Sequence, residues 1–237
     1  MYIDIHTHIL PNVDDGSKSL SESLSLLQML KNQGVNAAIL TPHFYPALET
    51  SLEEYKERID PKFEAFKEAA KDKFPEIYLG YEVHYFHGIA THADISGLCL
   101  GGSKYMLIEL PYRRISSRTV NSIIELNLSR GIIPILAHIE RYRKYEHFDR
   151  LLSLISEGYA LGQINAYSLL HFKTRRFTRN LIKKGYVSFI ASDTHSVEKI
   201  PPRIDEALAY VEKKLGKKTS DEIKRNHEDL YIKISRK

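Results

Sequence analysis

Residues 1–16 read MYIDIHTHILPNVDDG. The opening residues have the composition of a β-strand, and His6 and His8 sit two apart at its end. Side chains two apart on a strand share a face, so both imidazoles can reach one point. Asp14 and Asp15 follow, then Gly16. The stretch is either part of a metal site or a first strand with polar decoration. The rest of the chain decides between them.

Working outward, short β-rich runs recur at residues 2–5, 36–40, 77–79, 105–109, 133–137, 160–164 and 187–191. The stretches between them read as helices. Leu20, Leu24, Leu27 and Leu30 have the spacing of a buried helix face, and Ser19 with Glu22 reads as a capping box before it. Residues 53–71 read as a long, charged, solvent-washed helix, and 117–130 and 174–184 as two more. Gly34, Gly131 and Gly185 stand where helices stop. Seven strands alternating with helices imply a parallel sheet. The expected fold class is α/β, a distorted (β/α)7 TIM-like barrel forming a single domain over residues 1–237. No Gly-x-Gly-x-x-Gly follows a strand, which argues against dinucleotide binding.

Bulk properties agree. The chain has 237 residues, 43% hydrophobic and 27% charged, enough to bury a core without disulfides. Its one cysteine, Cys99, excludes a disulfide framework and fits a reducing compartment. No signal-peptide pattern and no apolar run of about 20 residues is seen, so a cytoplasmic location is expected. The formal charge of +4 suits an anionic substrate, but it is spread out and does not indicate nucleic acid.

In parallel β/α folds the site lies at the C-terminal ends of the strands. Those ends carry His6 and His8, then His43, Glu82, Glu109, His138, Asn165, and Asp193 with His195. A single histidine there is usually a loop residue, and His-x-His alone is a weak motif. Shared position in unit after unit is what the bland reading does not supply. The ligand set is imidazole plus carboxylate without thiolate, which suits Mn²⁺, Fe, Zn²⁺ or Co²⁺ in an open catalytic site. It is large enough for two or three ions, with Glu82 as a natural bridge. Carboxylates clustered without cations would push each other's pKa up, which also argues for bound cations.

Such a centre activates water and neutralises an oxyanion, and phosphate ester hydrolysis is its usual use. Holding phosphoryl oxygens calls for an arginine fork. Arg141, three residues past His138, is the leading candidate; Arg113, Arg114 and Arg203 are further ones, and Asn165 is placed among the substrate-binding residues. A cysteine phosphatase is excluded, because Tyr105 stands where Cys-x5-Arg needs arginine. No Gly-x-Ser-x-Gly elbow is present. His84, His87 and His92 either line the substrate entrance or, as the favoured reading, form a surface loop; His147, His171 and His227 read as surface. Tyr81, Tyr85, Phe86 and Tyr112 either flank an aromatic ring or pack.

The segments DIHTHILPNVDDG, TPHF, GYEVH, LIELP, PILAHIERY, QIN and ASDTH follow in the order and spacing of the PHP (polymerase and histidinol phosphatase) superfamily. Within it the chain resembles the bacterial manganese-dependent protein-tyrosine phosphatases of capsule and exopolysaccharide loci, from residue 2 to about 205. The resemblance implies a trinuclear cluster held by His6, His8, Asp15, His43, Glu82, Glu109, His138, Asp193 and His195, with Asp14 in a supporting role. It implies that Arg141 binds phosphate. It also implies a phosphotyrosine protein as substrate, a bacterial tyrosine kinase that regulates polysaccharide synthesis, attacked by a metal-bridging hydroxide. Three positions depart from the pattern. Ile139 stands for a proline, Phe44 for a histidine, and Ile200 for an arginine that Lys199 or Arg203 would have to replace. The alternatives are a small-molecule phosphatase of the histidinol-phosphatase type and a non-catalytic phosphotyrosine- or metal-binding regulator.

Overall fold

The computed structural model describes residues 1–49, 51–93 and 95–236. The elements run β1 (Ile3–Thr7), α1 (Leu20–Asn32), β2 (Ala37–Leu40), β3 (His43–Phe44), α2 (Leu52–Ala70), β4 (Glu76–Leu79), β5 (Glu82–His84), β6 (Tyr105–Glu109), α3 (Ser117–Arg130), β7 (Ile133–Leu136), α4 (Phe148–Ser156), β8 (Leu161–Asn165), α5 (Ala166–Leu170), α6 (Arg175–Lys183), β9 (Phe189–Ala191), α7 (Ile204–Leu215) and α8 (Lys217–Ser235). This is a mixed α/β unit built on a curled, parallel sheet.

Two expected strands are each followed by a short additional one. Thr41 and Pro42 separate β2 from β3, and Gly80 and Tyr81 separate β4 from β5. The sheet therefore divides into β1-β2-β4 and β3-β5-β6-β7-β8-β9, all paired in parallel. Its edges meet where β1 ends. His8 N–H donates to Thr194 O and Asp193 N–H donates to His6 O, both at 2.9 Å. Between β5 and β6 the described residues form short 3-10 turns rather than an α-helix, a departure from strict alternation.

Below that meeting point side chains join the edges. The His227 ring, from α8, lies 2.6 Å from Ile3 O and accepts from Ile190 N–H at 3.2 Å. It stacks on Tyr2 at 4.0 Å. His227 is fully buried, which corrects its reading as a surface residue. Burial outweighs its bond to Ile3 and pulls its pKa down from 6.5 to about 3. The ring is thus neutral, with one nitrogen donating and the other accepting.

The core has two parts. Ile3, Ile5, Ala37, Ile39, Leu107, Ile135, Phe189 and Ala191 pack together inside the curled sheet, with Leu230 and Ile234 of α8 among them. A larger cluster lies between the sheet and the outer helices. The helix expected at 53–71 is not solvent-washed throughout. Tyr55, Ile59, Phe63 and Phe66 are buried at the 3–4 residue spacing of one face. At α1, Ser19 Oγ accepts from Glu22 N–H as expected, but Glu22 reaches back to Lys18 N–H instead of Ser19.

Candidate metal centre

The inward row of each strand, followed to its C-terminal end, arrives at the candidate ligands. Leu107 leads to Glu109, Ile39 to His43, Tyr78 to Glu82, and Ala191 to Asp193 by steps of two. Three candidate ligands, His6, His8 and His138, do not follow these inward rows by steps of two. In β1 the register advances from Asp4↔Ala38 to Thr7↔Leu40, three residues against two. This one-residue bulge turns His6 and His8 inward after Ile3 and Ile5. After β7, His138 adopts φ +33°, and Asp193 after β9 adopts φ +52°. Left-handed backbone at non-glycine residues costs roughly 1–3 kcal/mol each and gathers at functional sites.

The donors converge. Nε2 of His6 lies 3.2 Å from Nε2 of His8. Glu82 Oε2 is 3.3 Å from both, and Asp193 Oδ1 is 3.3 and 3.5 Å away. Glu82 also reaches His43 Nδ1 at 2.9 Å and His138 Nε2 at 3.0 Å, so this one carboxylate touches four histidines. Glu109 Oε1 lies 3.5 Å from His138 Nε2. Asp15 Oδ1 is 3.3 Å from His43 and 3.5 Å from His195. Three donor groups have ligand atoms within 4.8 Å of one another: His8, Asp15, His43 and His195; His6, His8 and Asp193; and His43, Glu82 and Glu109. All nine expected ligands are thus brought into one cluster.

The remaining polar atoms aim these donors. Asp14 Oδ2 takes His8 Nδ1 at 2.7 Å, leaving Nε2 for the cluster. Gln163 Oε1 faces His6 Nδ1 at 3.3 Å and accepts from His138 N–H at 2.7 Å. Its amide donates to Asn165 Oδ1, and Asn165 Nδ2 donates to Asp193 Oδ2 at 2.6 Å. Backing of this kind fixes tautomer and ring orientation in metal sites. Gly16 makes the Asp-Asp-Gly turn possible, because a Cβ there would lie 2.0 Å from His8 O.

Carboxylate repulsion does not set the protonation of the cluster, contrary to the expectation from sequence. Burial raises Glu82 and Asp193, but the interleaved histidines, and Arg141 at Asp193, bring both well below the usual range. Burial lowers His43, yet its bonds to Asp15 and Glu82 lift it to about 9. His6 and His8 are likewise raised by the carboxylates around them, against the effect of burial. Divalent cations would take the place of these protons. The oxygen and imidazole donors, with nitrogens already turned inward, fit that role.

The family profile described as "Capsular polysaccharide synthesis, CpsB/CapC" matches residues 2–232. This chain belongs to the CpsB/CapC family. It is 30% identical over 233 residues to the tyrosine-protein phosphatase CpsB of Streptococcus agalactiae serotype III (strain NEM316), covering 93% of this chain and 94% of the relative. It is 34% identical over 208 residues to the putative tyrosine-protein phosphatase CapC of Staphylococcus aureus, covering 84% and 79%. A solved structure, from work on YwqE of Bacillus subtilis and CpsB of Streptococcus pneumoniae as "unique metal-dependent tyrosine phosphatases", superposes with a TM-score of 0.80 at 26% identity. It covers 98% of this chain and 94% of that one. A histidinol phosphate phosphatase from Lactococcus lactis shares the fold, at a TM-score of 0.51 and 15% identity over 92% and 93% of the two chains.

Among the residues of this CpsB/CapC chain expected from sequence to hold phosphate, Arg141 stands at the cluster edge. Its Nη2 is 2.5 Å from Asp193 Oδ2, and its Nη1 is 3.2 Å from the Tyr112 hydroxyl. Asn165 is buried behind Asp193 with its amide engaged at both ends. Arg113 and Arg114 are exposed, and Arg114 faces Glu146 at 3.8 Å. Arg203 lies just before α7, forked onto Glu206 at 2.5 and 2.8 Å.

Three neighbours were not placed at the cluster by the sequence. His84 is on β5, with Nδ1 3.2 Å from Glu109 Oε2, rather than in a surface loop. It is two residues past Glu82, a period-two signal that could have found it. Gln163 stands in the same relation to Asn165. Tyr45 contacts both His43 and His84, at 4.9 and 5.3 Å between ring centroids. Of the aromatics expected near the strand ends, Tyr112 flanks the cluster, stacked toward His138 at 6.1 Å. Tyr81 and Tyr85 are buried, Tyr81 against Asp60.

Proposed function

We propose that this chain is a metal-dependent protein-tyrosine phosphatase acting in capsule or exopolysaccharide synthesis. The observation that carries the reading is the convergence of five histidines and four carboxylates on one point with the Arg141 guanidinium at its edge. Membership in a family whose relatives are named tyrosine-protein phosphatases supports it. Ions held by His6, His8, Asp15, His43, Glu82, Glu109, His138, Asp193 and His195 supply an activated water and charge neutralisation. Two to three Mn²⁺ ions are the proposed complement, with Fe, Zn²⁺ or Co²⁺ compatible with the same donors.

The chain's own residues do the rest. Arg141 turns its fork from Asp193 to the phosphoryl oxygens, where a guanidinium binds bidentately. Asp193, held from behind by Asn165, keeps its Oδ1 on the ligand side. Tyr112 and Tyr45 flank the phenyl ring. The leaving tyrosinate needs little help, because the pKa of the phenol is about 10. The proposed substrate is a phosphotyrosine in a bacterial tyrosine kinase, met in the cytoplasm. The seven strand positions and the bonded edges support a closed seven-unit barrel as a single domain.

The test is turnover of p-nitrophenyl phosphate, a phosphotyrosine peptide and histidinol phosphate by metal-reconstituted protein, with His138→Ala as control. The peptide should be the best substrate, and the variant should be nearly inactive. Equal rates on histidinol phosphate would turn the assignment to a small-molecule phosphatase. Unchanged activity in the variant would remove the metal mechanism.

A further inference from the structure

Most of the cluster is closed to solvent: Glu82, His138 and Asp193 are no more than 3% exposed. The most open candidate ligand is Asp15, whose side chain is 69% exposed, with His43 and His195 beside it partly exposed. On that side the cluster opens into a groove of about 720 Å³ that Asp15 and His195 help to line. Lys18, Ser21 and Ser25 of the α1 end form one wall, and Val197, Glu198 and Lys199 the other. The volume is in the upper part of the range of ligand clefts, roughly 300–1,000 Å³, and exceeds what one phosphotyrosine side chain needs.

The groove is built, not slack. On one side the Ser19–Glu22–Lys18 hydrogen bonds fix the start of α1, and Lys18 Nζ is anchored on Asp14 O at 2.6 Å. The segment 195–200 folds onto itself. His195 N–H and the Thr194 hydroxyl both donate to Ile200 O, and Lys199 N–H donates to Ser196 Oγ.

The chemistry of the walls points to one kind of occupant. Lys18 and Lys199 stand among Asp15, Glu22 and Glu198, so the lining mixes both signs of charge rather than presenting one. Serine hydroxyls and mixed charges can bond N–H and C=O groups alike, and Val197 adds an exposed apolar contact at 36%. The aromatic walls, Tyr45 and Tyr112, stand elsewhere around the cluster. A phenyl ring is served there, and a polar, extended chain here.

Resting on the phosphatase reading above, we propose that this groove binds the main chain of the polypeptide flanking the phosphotyrosine, largely without regard to its sequence. Binding energy gathered away from the reacting group then makes protein-borne phosphotyrosine a better substrate than the free amino acid.

The test compares wild type with Ser25→Trp and Ser21→Trp, two exposed positions in α1 that touch no candidate ligand. Substrates are p-nitrophenyl phosphate, free phosphotyrosine and phosphotyrosine peptides extended by several residues on either side. Wild type should gain about tenfold or more in kcat/KM on one extension. The tryptophan variants should lose that gain while staying within about twofold of wild type on the two small substrates, which also certifies their folding. Two peptides with acidic and basic flanks should differ little. A wild type that turns over free phosphotyrosine and peptides equally would overturn the groove alone, as would variants that keep the peptide gain. If one variant loses activity on the small substrates as well, the other decides. A wild type inactive on every phosphotyrosine substrate would overturn the phosphatase reading itself.

Discussion

Replacing His227 by glutamine should remove a pH dependence from the stability of the protein. The imidazole joins β1 to β9 through Ile3 O and Ile190 N–H, and it does so only when neutral. Protonated, it loses its acceptor nitrogen. Its pKa is about 3 in the fold against 6.5 ordinarily, so the unfolded chain binds the proton more tightly. For a group depressed in this way, stability is full above about pH 6.5 and is lost as pH falls toward 3. Linkage between those values gives a loss of about 2 kcal/mol from pH 7 to 5 and about 3 kcal/mol from pH 7 to 4. Glutamine offers one donor and one acceptor but does not titrate. At neutral pH it should cost about 1–2 kcal/mol, for imperfect geometry and the lost Tyr2 stack. Urea unfolding of both proteins, stripped of metal and followed from pH 7 to 4, isolates the effect, because every other group titrates in both and cancels in the difference. The wild-type advantage should shrink and reverse on acidification. A difference that stays constant across that range would refute the neutral-bridge account.

Three further outcomes follow from the site. Gln163→Leu removes the acceptor shared by His6 Nδ1 and His138 N–H and should weaken metal binding 10–100-fold, read by titration of the stripped protein. Arg141→Ala should lower kcat about 10²–10³-fold on phosphotyrosine while the bound metal count stays at the wild-type value. Gly16→Ala forces a Cβ against His8 O, so the turn must move; Asp15 should leave the cluster and metal content should fall, measured by elemental analysis.

Most of the site was legible because one rule runs through it. A parallel sheet puts every strand's C-terminal end on one face, so ligands at strand ends needed no knowledge of the packing. Period-two alternation then carried Glu109, Glu82, His43 and Asp193 to the inside. What could not be read were the places where backbone breaks that rule. The bulge in β1 that turns His6 and His8 inward has no residue signature, and the left-handed turn at His138 uses no glycine. At Thr41–Pro42 and Gly80–Tyr81 the strand stops and a short second strand carries the candidate ligand, a break that the run of β-forming residues does not signal. Nor did local pattern reveal His227. Its partners are the backbone of Ile3 and Ile190, 224 and 37 residues away, and a histidine among Asn226, Glu228 and Asp229 looks like a solvated helix face. Protonation was not legible either, because clustered acids repel on paper, whereas here imidazoles crowd around Glu82 and outweigh that repulsion.

If these nine side chains form a metal centre, the chemistry depends on the ions it holds. The direct measurement is turnover of a phosphotyrosine peptide by chelator-stripped protein as Mn²⁺ is added back, with bound metal counted in parallel. Activity should be absent at the start and return as two to three ions bind per chain. Full turnover in the stripped protein, or restored turnover with no ion bound, would contradict the account.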